Sequence, residues 1–160
     1  MGYSPQELAD RAEIHDVLVR YGWAIDTKDW ALLDTCFTAD AEVDYSSNPG
    51  GKKGPYAQIR SWLEKMISAF PVTQHLMSNI DVALAGDRAT ARTMVTNPQG
   101  AATREGPLHF FYVGGRYDDE LIRTAEGWKI SETGYDRTYD ASMSTENLNF
   151  KVKAGRALNI

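Results

Sequence analysis

The sequence predicts an α+β domain: three helices packed on a strongly curved, mixed or antiparallel sheet that closes into a cone around a pocket. Three observations predict it. Apolar residues recur at three- and four-residue spacing from Leu8 through Ile14, Val17, Leu18 and Tyr21 to Ala24 and Ile25. From Val72 the period changes to two, and strands separated by turn residues follow to about Tyr139. Gly114-Gly115 interrupts one of those strands and supplies the bend that a cupped sheet needs. A sheet must cover one face, and helices laid across a curved one leave a hollow beneath the first of them.

The elements follow in order. Ser4-Pro5-Gln6-Glu7 is a helix start, with Ser4 as cap, Pro5 in the first turn and Glu7 completing a capping box. The helix runs to about Asp26. Asp29 caps a second, short helix from Trp30 to about Phe37. Asp40 to Tyr45 alternates as a short strand, and Asn48 to Gly54 is a loop by composition. Pro55 opens a third helix with Tyr56, Ile59, Trp62, Leu63, Met66 and Ile67 on its apolar face, ending before Pro71. Val72 to Leu84 is a strand, Gly86-Asp87 a hairpin turn and Arg88 to Thr96 its partner. Asn97 to Gly106 is a polar connection. Pro107 to Ile122 and Trp128 to about Tyr139 are the last two strands, joined by a turn at Thr124 to Gly127. Residues 1–140 form the domain and 141–160 an extension that packs on a neighbour or over the pocket.

At 160 residues with a net charge of −5, the chain has the length of one domain and lacks the basic patch that nucleic acid requires. Cys36, the one cysteine, lies among apolar residues and reads as a buried small hydrophobe. No apolar run is long enough to span a membrane, and the N-terminus has no secretory pattern, so a cytoplasmic protein is expected.

An acid closing an otherwise apolar stripe is the first anomaly. Tyr21 and Asp26 lie within roughly 140 degrees of each other on the helix, at about 100 degrees per residue. Both can face one cavity. His75, in Thr73-Gln74-His75, shares its strand face with Met77, Asn79 and Asp81, while Leu76, Ser78, Ile80 and Val82 form the more apolar face. That polar series is either solvated or lines a mixed cavity. A neutral histidine beside a carboxylate suits general-base chemistry, because the carboxylate sets the tautomer and stabilises the imidazolium. Asp26 is the candidate partner. His109 is either a second proton-transfer group or a core histidine, and His15 reads as a surface residue. Tyr21, Tyr45 and Tyr135 are candidate donors to a developing oxyanion, with Asn97 and Arg137 as polar edge groups. Metal-binding, nucleotide-binding and serine-nucleophile motifs are absent, so neither metal nor cofactor is expected and proton transfer without a cofactor fits best.

Tyr21-Gly22-Trp23-Ala24-Ile25-Asp26, Asp29-Trp30, Phe37-Thr38-Ala39-Asp40-Ala41 and Trp128-Lys129-Ile130-Ser131-Glu132 resemble the SnoaL-like branch of the NTF2-like superfamily across residues 6–139. Within it the chain is similar to the scytalone dehydratases, the bile-acid 7-alpha-dehydratases and the hexachlorocyclohexane dehydrochlorinases, which use an Asp–His pair in a cone-shaped cavity. The resemblance puts that pair on Asp26 and His75. It puts the bile-acid enzymes' tyrosine on Tyr21 and arginine on Arg137, and the scytalone enzymes' substrate-orienting tyrosine on Tyr45 and second histidine on His109. The sequence departs at Ile25, where the scytalone enzymes have tyrosine, and near Asn97, where the bile-acid enzymes have a further acid.

The expectation is a cofactor-independent dehydratase, a lyase, in which His75, Asp26, Tyr21 and His109 are catalytic. Tyr45, Asn97, Tyr135, Arg137, Trp23, Trp62, Met77 and Phe111 would bind substrate, with Met66 and Met94 nearby. The substrate would be a small hydrophobic ring compound such as a steroid, terpenoid or polyketide. The alternatives are an isomerase like ketosteroid isomerase, a non-catalytic binding module and an oligomerisation subunit. A homo-oligomer, trimer or dimer, is expected, with no membrane or nucleic-acid partner.

Overall fold

A computed structural model describes residues 2–101 and 109–143. Helix α1 (Pro5–Thr27) begins with the anticipated capping box: Ser4 Oγ accepts the Glu7 N–H and the Glu7 carboxylate accepts the Ser4 N–H. It ends at Lys28, whose left-handed backbone (φ 59°) returns its N–H to the Ala24 and Ile25 carbonyls. Ile14, Val17, Leu18, Tyr21, Ala24 and Ile25 are buried along one side, but Leu8 is exposed and lies outside the stripe.

Helix α2 (Trp30–Asp34) is capped by the Asp29 side chain. It is shorter than its apolar spacing suggests. The Ile130 N–H takes the Cys36 carbonyl at 2.8 Å and draws the chain into the sheet, so Phe37 opens strand β1 (Phe37–Asp44) instead of closing the helix. After β2 (Lys53–Pro55), helix α3 (Tyr56–Ile67) buries Tyr56, Ile59, Leu63 and Ile67. The remaining strands are β3 (Val72–Thr73), β4 (Leu76–Ala85), β5 (Arg88–Ala101), β6 (His109–Thr124) and β7 (Gly127–Met143). They pair in the order β2-β1-β7-β6-β5-β3, with β4 also on β5. The sheet is mixed: β1 runs parallel to β7, and every other pairing is antiparallel. The three helices lie on a strongly curved half-barrel, the cone that the sequence predicts.

A buried polar clamp holds α1 on the sheet. Arg123 donates two bonds of 2.7 Å to Asp10, which also accepts the Trp128 indole N–H, and Arg123 Nε reaches Asp87 at 2.9 Å. The curvature has the anticipated origin. The β6–β7 register shifts between Gly114 and Gly115. A side chain at Gly114 would overlap the Tyr139 ring, and one at Gly115 the Asp136 carbonyl and the Tyr135 hydroxyl. Gly115 therefore needs glycine for close approach to backbone, whereas at Gly114 the obstacle is the far end of the exposed Tyr139 side chain.

Three expectations are corrected. The strand expected over Val72 to Leu84 is broken at Gln74 and His75. The segment from Asn97 to Ala101 is not a connection but the end of β5, paired with β6 as far as Ala101 opposite His109. The faces of β4 are not two uniform stripes either. Leu76 is exposed while Met77 is half-buried, yet farther along Ile80, Val82 and Leu84 turn inward. A register shift between Ser78 and Asp81, with Asn79 in the left-handed region at φ 49°, inserts the extra residue that exchanges the faces. The tail at 144–160 and the connection at 102–108 lie outside the described residues, as does the proposed role of the extension. Among the described residues no helix is long and apolar enough to cross a membrane.

The bulge makes a direct prediction. Replacing Asn79 with β-branched valine forces that side chain into left-handed backbone and should destabilise the fold by about 1–2 kcal/mol. Asn79→Gly should be close to neutral. Chemical denaturation of the two variants checks this, and equal stabilities would refute the strained bulge.

Candidate active site

Between α1, α3 and the concave face of the sheet lies a cavity of about 310 Å³. Its floor carries Tyr21, Tyr45, Tyr117 and His75, and its walls include Ile25, Trp62, Met66, Val95, Phe111 and Val113. Asn48, Gln99 and Arg137 bring polar groups to the lining. Ser47 helps hold one side, donating to the Tyr135 carbonyl and accepting the Arg137 N–H.

His75 is where a strand residue would be, but its backbone N–H does not pair with β5. Asp26 Oδ2 accepts it at 2.7 Å, and Asp26 Oδ1 lies 2.7 Å from Nδ1 of the same histidine. One carboxylate at the end of α1 thus takes both a main-chain and a ring donor from the break between β3 and β4. The side chains are 5% and 16% exposed, so the pair is largely shielded from water. Asn97 completes the setting. Its amide nitrogen lies 3.0 Å from His75 Nε2, and its oxygen shares the Gln74 N–H, at 3.4 Å, with the Pro98 carbonyl at 3.2 Å. The network describes a neutral imidazole with its proton on Nδ1 and its lone pair on Nε2, at the cavity side. At Gly22 the helix backbone faces His75 and Met77, and a Cβ there would meet both at van der Waals distance, 3.4 Å.

Beside the histidine is a cluster of three phenols. Tyr21 Oη is 2.9 Å from Tyr45 Oη and 3.4 Å from Tyr117 Oη. The Tyr21 ring meets the Tyr117 ring and the His75 imidazole edge-on. Burial raises the pKa of all three phenols well above the ordinary tyrosine range, so each keeps its proton at neutral pH. Three hydroxyl protons serve two phenol–phenol contacts, which leaves one for a ligand. Tyr135 also lines the cavity, its hydroxyl pushed up to about 12 by burial. Arg137 lies at the lining with its guanidinium 3.0 Å from Asp140.

Tyr21, Tyr45, Asn97, Tyr135, Arg137, Trp62, Phe111 and His75 line one cavity, with Asp26 behind the imidazole. Four residues expected there are not. His109 has the strand parity of Phe111 but is exposed and lies outside the cavity lining, whereas Phe111 and Phe70, their rings 5.8 Å apart, belong to it. Trp23 is 48% exposed, on the far side of α1 from its buried stripe. Met94 is exposed on the outer face of β5. Met77 lines a small separate void beneath Tyr21 and Tyr117, not the main cavity. Tyr117 was not singled out from sequence, though it shares strand parity with Phe111 and Val113. Cys36 is buried as expected, and burial pushes its thiol up to about 11, which leaves it un-ionised and inert at neutral pH.

A half-barrel with a histidine–carboxylate pair and a phenol cluster at the base of an apolar hollow defines the small α+β pocket proteins of the NTF2-like class. The chain matches the SnoaL-like domain over residues 6–134 and belongs to that family. An uncharacterized protein of Mycobacterium tuberculosis, Rv2910c, is 40% identical over 128 residues, covering 79% of this chain and 84% of the relative. Two solved structures share the fold. One is a scytalone-dehydratase-like protein from Novosphingobium aromaticivorans (TM-score 0.73, 22% identity, 96% of each chain). The other is the hexachlorocyclohexane dehydrochlorinase LinA-type3 from Novosphingobium barchaimii (TM-score 0.76, 19% identity, 92% of this chain and 97% of that one).

Removing the carboxylate should expose its double role. Asp26→Ala leaves two shielded N–H donors of His75 unpaired, which should cost about 1–3 kcal/mol in chemical denaturation. In nitrogen-15 spectra of the parent, Nδ1 should carry the His75 proton, and that tautomer preference should weaken in the variant. A parent ring with its proton on Nε2 would contradict the network.

Proposed function

We propose that the protein is a cofactor-independent lyase of the dehydratase type, acting on a small hydrophobic cyclic substrate. The observation that carries this reading is the bidentate hold of Asp26 on His75, which lines the cavity with its Nε2 on the Asn97 amide. His75 is the base and Asp26 orients it and stabilises the imidazolium. The substrate displaces the Asn97 amide from Nε2 and presents a C–H next to an activating carbonyl. Nε2 takes that proton, and the C–H electron pair moves toward the carbonyl, whose oxygen gains charge. The free phenol proton of the cluster binds this oxyanion. The C–O bond to a hydroxyl on the neighbouring carbon then breaks, the ring double bond forms, and the imidazolium returns its proton to the departing hydroxide. Water leaves and His75 is neutral again, so the exposed His109 has no part in the cycle.

The cavity volume of about 310 Å³ lies at the low end of the range of about 300–1,000 Å³ for small-molecule sites, and its walls are mainly apolar. Both suit a compact ring compound of terpenoid or polyketide type better than a full steroid. The names of the two structural neighbours, a dehydratase and a dehydrochlorinase, support an elimination. Return of the proton to another carbon would instead give an isomerase, and product analysis separates the two. Exposed Leu76, Met94 and Tyr139 on the sheet support a homo-oligomer.

The test is a screen of β-hydroxylated cyclic ketones with the parent, His75→Gln and Asp26→Asn. Both variants should fold and lose turnover by about 10²–10⁴-fold, the usual contribution of a positioned base. Undiminished turnover in both would overturn the mechanism. Tight binding with no turnover in any of the three proteins would leave a binding module.

A further inference from the structure

Asp119 is a carboxyl group that the proposed reaction does not use. It lies on the concave side of β6, two residues beyond Tyr117, and is 5% exposed. Thr133, opposite it on β7, donates a hydroxyl bond of 2.5 Å. Together with Leu18, Tyr21, Met77, Tyr117, Ile130 and Thr133 it encloses the small void directly beneath the phenol cluster. The neighbours are uncharged on the inner side: Tyr21 from α1, Tyr45 just after β1, Met77 from β4, Ala91 from β5, and Thr133 and Tyr135 from β7. The outer face offers acids in excess: Asp44, Asp81, Asp118, Glu120 and Glu132 border a depression there with Lys53 and Arg92, and Asp119 itself reaches its lining. Among the described residues no cation pairs with Asp119.

A lone buried carboxylate without a cation is costly and is expected to stay protonated. Its position behind the phenols then matters for any anion in the cavity. We infer that Asp119 is a positioning residue whose un-ionised form lets the Tyr21–Tyr45–Tyr117 cluster donate to an anion in the cavity, and whose ionised form withdraws that capacity. This rests on the reading of the cluster as an oxyanion site. The carboxylate would add a like charge behind that site and compete with the ligand for phenol protons. Burial raises the Asp119 pKa to about 7, with Asp118 adding to the shift and the Thr133 bond opposing it. The switch therefore lies near neutral pH.

Two measurements decide the matter, both in the His75→Gln background so that imidazole titration does not contribute. The first follows the tyrosine ring carbon-13 resonances against pH. Tyr21 and Tyr117 should show an inflection near pH 7, which Asp119→Asn should abolish. Thr133→Val removes the bond that favours the carboxylate and should move the inflection upward while the fold is kept. No inflection, its survival in Asp119→Asn, or no displacement in Thr133→Val overturns the inference. The second uses 2,4-dinitrophenolate, an anion throughout about pH 6–9. Its affinity should fall at least about fivefold as pH rises through 7 and stay level in Asp119→Asn. Equal pH dependence in both proteins overturns the inference. Failure of the probe to bind either protein counts against the oxyanion site itself, and the resonance titration still decides whether Asp119 couples to the phenols.

The same carboxyl should set a stability trend. Its folded-state pKa lies above the ordinary 3.8, so its contribution is fully present below about 4 and is lost as pH rises through about 7. Asp119→Asn should therefore gain stability relative to the parent at pH 8 but not at pH 4, as read by denaturation at the two pH values.

Discussion

The grip of one carboxylate on two donors of a single residue organises the hollow. Asp26 accepts the main-chain N–H and the Nδ1–H of His75. A strand continuing through His75 would carry its N–H to β5 and leave no gap beside α1. Because the aspartate takes that donor, the strand breaks into β3 and β4, and the imidazole is held at the cavity floor. The bond joins the last turn of the helix to the sheet at the place where the sheet is weakest. Structure and chemistry meet there, since the contact that completes the backbone's hydrogen bonding also sets the tautomer of the ring.

The rest of the cavity floor depends on protons held by burial. Three tyrosine hydroxyls face one another away from water, where ionisation is unfavourable, so they remain donors. The only cationic side chain lining the cavity among the described residues, Arg137, already has Asp140 beside it. Under the proposed mechanism, negative charge in the hollow would meet oriented hydroxyl dipoles instead of an unpaired fixed positive charge. Such dipoles are effective because they are fixed before the reaction and shielded from water. Asp119 is buried against the same small void as Tyr21 and Tyr117.

Helix placement comes from the opposite end of α1. Asp10, Arg123 and Trp128 tie the first turns of the helix to the β6–β7 end of the sheet, while Asp26 ties its last turn to the β3–β4 break. The helix is thus fixed at both ends and spans the concavity between them. Gly22 faces His75 and Met77 across that span.

Much of this was legible from the chain alone. The capping box, the buried side of α1, the change of period at Val72 and the Gly114-Gly115 bend each arise from interactions between residues near in sequence, or from backbone freedom a residue carries with it. The pairing of Asp26 with His75 was legible through the acid at the end of an apolar stripe and the resemblance carried by the surrounding residues. What was not legible came from the closure of the sheet. Parity counts placed His75 on the polar face of a continuous strand, but the Asn79 bulge exchanges the faces partway along β4. Parity also aligns His109 with Phe111, although only Phe111 lines the cavity and His109 is exposed. Residue types and local periodicity determine which elements form and which side chains suit proton transfer. Only the tertiary structure decides which of those side chains meet in a shielded space, because register shifts and long-range packing set the direction and burial of each.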